Sequence, residues 1–216
     1  MIQRAVASIF GLAILVAVAA APAPAAERPL RIVALGDSLT AGYGLPAQDS
    51  FPARLAAALK AKGHAVEIEN AGVSGDTASA GLARLDWAVP EGTDAVIVEF
   101  GANDMLRGVD PKVTQAALDA LLTRLRQRGI AVLLAGMRAA PNLGAEYGRA
   151  FETVFADLAT KHDVVFYPFF LDGVAAQAKL MLRDGVHPNA GGVDAIVTGI
   201  LPKAEELIAR AKARKS

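Results

Sequence analysis

The chain has 216 residues, a formal net charge of zero and no cysteine. The length suits one domain with a single hydrophobic core. The charge balance gives no support for nucleic acid or an anionic membrane surface as the main partner. The missing cysteines exclude disulfides, thiolate metal sites and cysteine nucleophiles.

Met1 to about Ala26 reads as a cleaved signal peptide. Arg4 supplies its charged start, Ile9 to Val18 its apolar centre, and the small residues Ala21 to Ala26 its cleavage region. An uncleaved membrane anchor is the other reading, and the small residues favour cleavage. The mature chain, residues 27–216, is then a single domain in the periplasm or outside the cell, with no membrane span left.

From there, apolar runs alternate with helical patterns. Leu30 to Leu35 is nearly continuously apolar, as in a strand covered on both faces. Ser50 is expected to cap a helix that starts at Phe51 and Pro52 and ends at Gly63. Ala65 to Glu69 alternates and suggests a second strand, and Thr77 to Leu85 a helix. Ala95 to Phe100 is a third strand. Asp110 and Pro111 open a helix closing at Gly129, with Leu118, Leu121, Leu122 and Leu125 as its stripe. Ile130 to Ala135 is a fourth strand, Gly144 to His162 holds a helix, and Val164 to Tyr167 is a fifth strand. The last helix runs from Asn189 to about Arg210, with a kink or break expected at Pro202. His64 and His162 are expected to be exposed residues complementing helix C-termini.

Strands alternating with helices imply an α/β fold with a parallel sheet and helices on both faces. Ligands of such sheets bind beyond the carboxyl ends of the strands. Ser38 follows the first strand, Ser74 and Gly75 the second, and Asn103 the third, so these loops are expected to meet at one edge.

Each of these residues has an ordinary reading beside a chemical one. Ser38 sits where a helix cap would. His187 follows Asp184 by three residues. In that spacing the carboxylate can accept from imidazole Nδ1 and leave Nε2 facing a serine. An Asp-x-x-His metal half-site or an Asx turn uses the same spacing. Asn103 can shape a turn or donate its NH2 group to an oxyanion. Gly75 can be a turn glycine, or can let a backbone N–H approach a reacting atom. Asp37, Asp76 and Asp104 can bind a divalent cation together, or each can serve a helix start.

Together, Gly36-Asp37-Ser38-Leu39, Asn70 to Gly75, Gly101-Ala102-Asn103-Asp104 and Asp184-Gly185-Val186-His187 resemble the SGNH (GDSL) hydrolase family. The order of the four motifs matches, and the likeness spans about Arg31 to Pro188. Gly42-Tyr43, Ser74 to Thr77, Gly81 to Leu85 and Pro168-Phe169-Phe170 look like its bacterial periplasmic branch of thioesterases, lysophospholipases and arylesterases. The resemblance implies a three-layer α/β/α sandwich with a five-stranded parallel sheet of order 2-1-3-4-5. It implies Ser38 as nucleophile, His187 as base and Asp184 as its orienter. It implies also an oxyanion hole made of the Ser38 and Gly75 N–H groups and the Asn103 side chain. No metal and no organic cofactor is implied. The implied substrate is a small-molecule ester or thioester, and a monomer is expected. Met105, Leu106, Pro141 and Leu143 lie in loops that depart from the family pattern and are the expected acyl contacts. The competing readings are a non-catalytic acyl- or glycan-binding module, a carbohydrate deacetylase and a metal-dependent hydrolase.

Overall fold

The computed structural model describes residues 1–2 and 28–214. The expected signal peptide lies outside the described residues apart from its first two positions. In chain order the elements are β1 (Leu30–Gly36), α1 (Ser38–Ala41), α2 (Phe51–Ala61), β2 (Val66–Gly72), α3 (Ala78–Ala83), α4 (Leu85–Ala88) and β3 (Ala95–Glu99). They continue with α5 (Ala102–Leu106), α6 (Pro111–Gln127), β4 (Ala131–Ala135), α7 (Ala145–His162), β5 (Val165–Tyr167) and α8 (Ala190–Ala213).

The five strands form one parallel sheet in the order β2-β1-β3-β4-β5. Every residue of β3 and β4 is buried, which is why both read as unbroken apolar runs. Helices α2 and α8 pack on each other, as do α3, α6 and α7, giving two helical layers about the sheet. The leucine stripe of α6 is buried as its spacing requires, and Asp110 caps that helix by accepting from the Lys112 N–H at 2.9 Å. Thr77 caps α3 through the Ala80 N–H.

Four local expectations are corrected. Ser50 stands at the start of α2, but its hydroxyl donates backward to the Ala47 carbonyl at 2.8 Å, because a 3-10 turn over Ala47–Asp49 brings that acceptor within reach. The single helix expected over Thr77 to Leu85 is two, divided at Arg84, whose guanidinium reaches back to Asp76 and the Gly36 carbonyl. Helix α8 runs unbroken through Pro202. Pro202 and Thr198, whose carbonyl loses its partner, are both exposed, so water can satisfy it while the opposite face stays packed. His162 is buried rather than exposed: its Nε2 meets Asp119 Oδ1 at 2.6 Å and joins α7 to α6.

Candidate active site

The strand register delivers the functional loops to one edge. Gly36, the last residue of β1, lies between Gly72 of β2 and Glu99 of β3. A side chain at Gly36 would bring its Cβ to 2.1 Å from Thr40 Oγ1 and 2.6 Å from the Glu99 carbonyl oxygen. Only glycine fits where the chain turns from strand to helix. Asp37 then caps α1, accepting from the Leu39 N–H at 2.9 Å. Ser38 becomes the first helical residue, and its N–H has no intrahelical acceptor.

The loop after β2 brings Gly75 to the same place. Its φ of +90° is a conformation that side chains avoid. Two arginines hold this loop. Arg107 donates to the Gly75 carbonyl at 2.8 Å. Arg84, almost fully buried, pairs with Asp76 at 2.6 Å and donates to the Gly36 carbonyl at 2.8 Å. No hydrogen bond among the described residues uses the N–H of Ser38 or of Gly75.

The loop after β3 turns at Gly101 into the short helix α5, which carries Asn103. The Asn103 Nδ2 donates to Asp37 Oδ2 at 3.1 Å. Its neighbour Asp104 is turned the other way, accepting from the Ala78 N–H and from Thr114 Oγ1, both at 2.9 Å. The three aspartates weighed as a cation site are thus engaged separately, and no cluster of three or more His, Asp or Glu side chains able to hold an ion forms among the described residues.

The last contribution comes from the loop before α8. Its two ends are tied: the Leu182 N–H donates to the His187 carbonyl at 2.7 Å, and the Asn189 N–H donates to the Leu180 carbonyl at 2.9 Å. Within it, Asp184 Oδ1 accepts from the Val186 and His187 N–H groups at 2.9 and 3.0 Å. Asp184 Oδ2 meets His187 Nδ1 at 2.8 Å. The His187 and Val186 backbone amides, followed by the imidazole, hold the Asp184 carboxyl down at about 2. It is therefore charged at neutral pH, and Nδ1 must carry the ring proton that it accepts. That leaves Nε2 as an acceptor, and Ser38 Oγ lies 2.9 Å from it. Tyr43 braces the imidazole with its ring, centroid to centroid 4.5 Å at 33°.

These groups open onto a cavity of about 810 Å³. Ser38, Gly75, Asn103 and His187 line it beside an apolar wall that includes Met105, Leu106, Met137, Pro141 and Phe169. Leu143, expected with Pro141, is not part of the lining. It ends the 3-10 turn over Pro141–Leu143, and at three residues per turn it projects roughly 120° away from Pro141.

Three participants went unassigned in the sequence. Phe169 belongs to a motif noted above, but nothing local marks it as cavity wall. Tyr43 is 53% exposed, and only the fold brings its ring to His187. Glu99 sits at the end of an apolar strand, where a carboxylate is out of pattern; that mismatch is the signal by which it could have been found.

The arrangement offers a hydroxyl, an acceptor for its proton, an anion beyond that acceptor, and N–H groups around an apolar pocket. The model of the GDSL-like lipase/acylhydrolase family matches residues 34–195. An arylesterase of Vibrio mimicus is 38% identical over 166 residues, covering 76% of this chain and 83% of that protein. The thioesterase 1/protease 1/lysophospholipase L1 of Escherichia coli K12 is 37% identical over 159 residues, covering 73% and 75%. Among solved structures, AlinE4, an SGNH-hydrolase family esterase, superposes with a TM-score of 0.72 at 43% identity, covering 84% of this chain and 98% of that one.

Proposed function

Because the chain belongs to the GDSL-like lipase/acylhydrolase family and is an ester-hydrolysing enzyme, we propose that it cleaves carboxylic esters and thioesters through a relay of Ser38, His187 and Asp184. Ser38 Oγ attacks the carbonyl carbon while His187 Nε2 takes its proton. The tetrahedral oxyanion is held by the N–H groups of Ser38 and Gly75 and by the Asn103 amide. His187 returns the proton to the leaving alcohol or thiol, and the acyl group remains on Ser38. Water, deprotonated by His187, then releases the acid and restores the hydroxyl. Asp184 stays ionised throughout, holding the tautomer and the imidazolium.

The observation that carries this reading is the 2.9 Å approach of Ser38 Oγ to a nitrogen whose partner faces a carboxylate. The apolar wall supports an acyl chain or aromatic ring in the cavity, and favours that over the bare acetyl of a carbohydrate ester. Met105, Leu106 and Pro141 are its contacts. The enzyme acts as a monomer in this reading. No helix among the described residues is long and apolar enough to cross a membrane; a periplasmic or secreted location rests on the leader-like residues 1–26.

A fluorophosphonate probe tests the assignment. It labels Ser38 in the wild-type protein and nothing in Ser38→Ala, which loses ester turnover while keeping its thermal midpoint. Full turnover by purified Ser38→Ala, or labelling elsewhere, overturns the relay. Ligand binding without labelling of the wild-type protein would favour the non-catalytic module.

A further inference from the structure

We propose that Asp37 is a positioning residue for the oxyanion hole, aiming the Asn103 amide at the substrate oxygen. This rests on reading Asn103 as an oxyanion donor. Asp37 is fully buried and takes no part in the proton relay. A carboxylate at the start of α1 is explained as a cap, but capping uses one oxygen only: Oδ1, on the Leu39 N–H. The second oxygen, Oδ2, accepts from Asn103 Nδ2 at 3.1 Å. That nitrogen carries two hydrogens in one plane with the amide. Fixing one of them on Asp37 fixes the direction of the other, and Asn103 lines the cavity. A donor held before the reaction need not reorganise as charge develops on the substrate oxygen.

The surroundings keep this acceptor charged at the pH of an esterase assay. Glu99 from β3, 1% exposed, is the other carboxyl in the same interior, with Oε2 accepting from Thr40 Oγ1 at 2.8 Å. Its Oε1 is buried with no hydrogen-bond partner, a situation that strongly disfavours an anion. Burial, and then the charge of Asp37, push the Glu99 carboxyl well above its ordinary value, so it holds the proton of the pair. Burial also raises Asp37, to about 6, against the Leu39 amide, the Asn103 hydrogen bond, the neighbouring Glu99 carboxyl and the charge of His187. His187 faces it from the loop before α8. The Arg84 guanidinium reaches the adjacent Gly36 carbonyl and is itself paired with Asp76. Asp104 on α5 faces Ala78 and Thr114. At pH 8 the negative charge therefore sits on Asp37, where the amide bond to it is charge-assisted.

The test separates cap from aim. Asp37→Ser retains a side-chain oxygen for the Leu39 N–H, since serine is a good cap, but is one atom too short to hold Asn103. Asp37→Asn retains the length but has one acceptor for two donors. Initial rates with a p-nitrophenyl butyrate series at pH 8 are measured for wild type, Asp37→Ser, Asp37→Asn, Asn103→Ala and Asp37→Ser/Asn103→Ala, with thermal melts of each. Asn103→Ala is expected to lose about 10²–10³ in kcat. Both Asp37 variants are expected to lose at least about tenfold in kcat with little change in KM, as removal of a transition-state interaction does. The double variant should match Asn103→Ala within about threefold, because Asp37 acts through that amide. Asp37→Ser with wild-type kcat, or losses that multiply in the double variant, would overturn the proposal while leaving the oxyanion reading intact. An undiminished kcat in Asn103→Ala would overturn both. If Asp37→Asn does not fold, the capped Asp37→Ser carries the comparison alone.

Discussion

Replacing Asp184 by asparagine probes the outermost member of the proposed relay, and its effect can be worked from three contacts. The carboxylate spends Oδ1 on the Val186 and His187 N–H groups and Oδ2 on imidazole Nδ1, at 2.8 to 3.0 Å. Asparagine has a single oxygen. Left on the two backbone donors, it presents its NH2 group to Nδ1, which must then give up its proton. The ring proton moves to Nε2 and blocks the acceptor that Ser38 needs. Flipping the amide restores the working tautomer but turns the NH2 group toward two backbone N–H donors. Losing those two hydrogen bonds costs about 1–3 kcal/mol, so the working arrangement is disfavoured about 5- to 150-fold. Loss of the negative charge adds little, because the Asp184 side chain is 38% exposed and water screens it. We expect kcat for p-nitrophenyl butyrate to fall about 10- to 10²-fold with KM and the melt nearly unchanged, far less than the ~10⁴ seen where the acid of a triad is buried. Because the carboxyl is held at about 2, titration of Asp184 itself adds nothing to the deficit between pH 5 and pH 9. A kcat within twofold of wild type would refute the relay, and a loss near ~10⁴ would refute the solvent-screened geometry.

Two further outcomes concern stability. Gly36→Ala drives a methyl into Thr40 Oγ1 and the Glu99 carbonyl, so urea denaturation should show a loss of at least about 1–3 kcal/mol from overpacking; an unchanged midpoint would mean that β1 and β3 can part at no cost. Asp37, raised to about 6 by burial, contributes stability that is whole below its unfolded value near ~3.9 and is lost as pH rises through 6. Asp184 has the opposite sign but acts only between ~3.9 and about 2. Urea midpoints measured from pH 4 to pH 8 should therefore show Asp37→Ser gaining on wild type as pH rises, and the reverse trend would contradict the burial argument.

Much of this fold is legible in the chain because a doubly covered parallel sheet writes itself as uninterrupted apolar runs, and β3 and β4 are such runs. Helix α6 announces its start through Asp110 and Pro111. The proposed relay residues and the proposed Asn103 donor are legible because each falls in a short motif, in the segment that follows a strand or in the loop that leads into α8. What local pattern misreads is whatever a distant segment decides. Ser50 has a better acceptor behind it than ahead. His162 looks like an exposed helix-end residue until Asp119 of α6 is seen beside it. Pro202 is tolerated because its cost falls on the wet face of α8. Leu143 differs from Pro141 only by its angle on one turn. Tyr43 acquires its place against His187 from a residue far along the chain, whereas Glu99 is flagged only by a carboxylate standing at the end of an apolar strand.

The stitched loop before α8 makes the proposed acid and base, Asp184 and His187, a preassembled module. Only one long-range alignment must then be met for the relay to work, between Ser38 and a ring 149 positions away. The preceding stretch from Phe169 to Ala176 supplies cavity wall without supplying the relay. Substrate preference can therefore be re-engineered, or drift over evolutionary time, by recasting that stretch while the proton-transfer module travels unchanged.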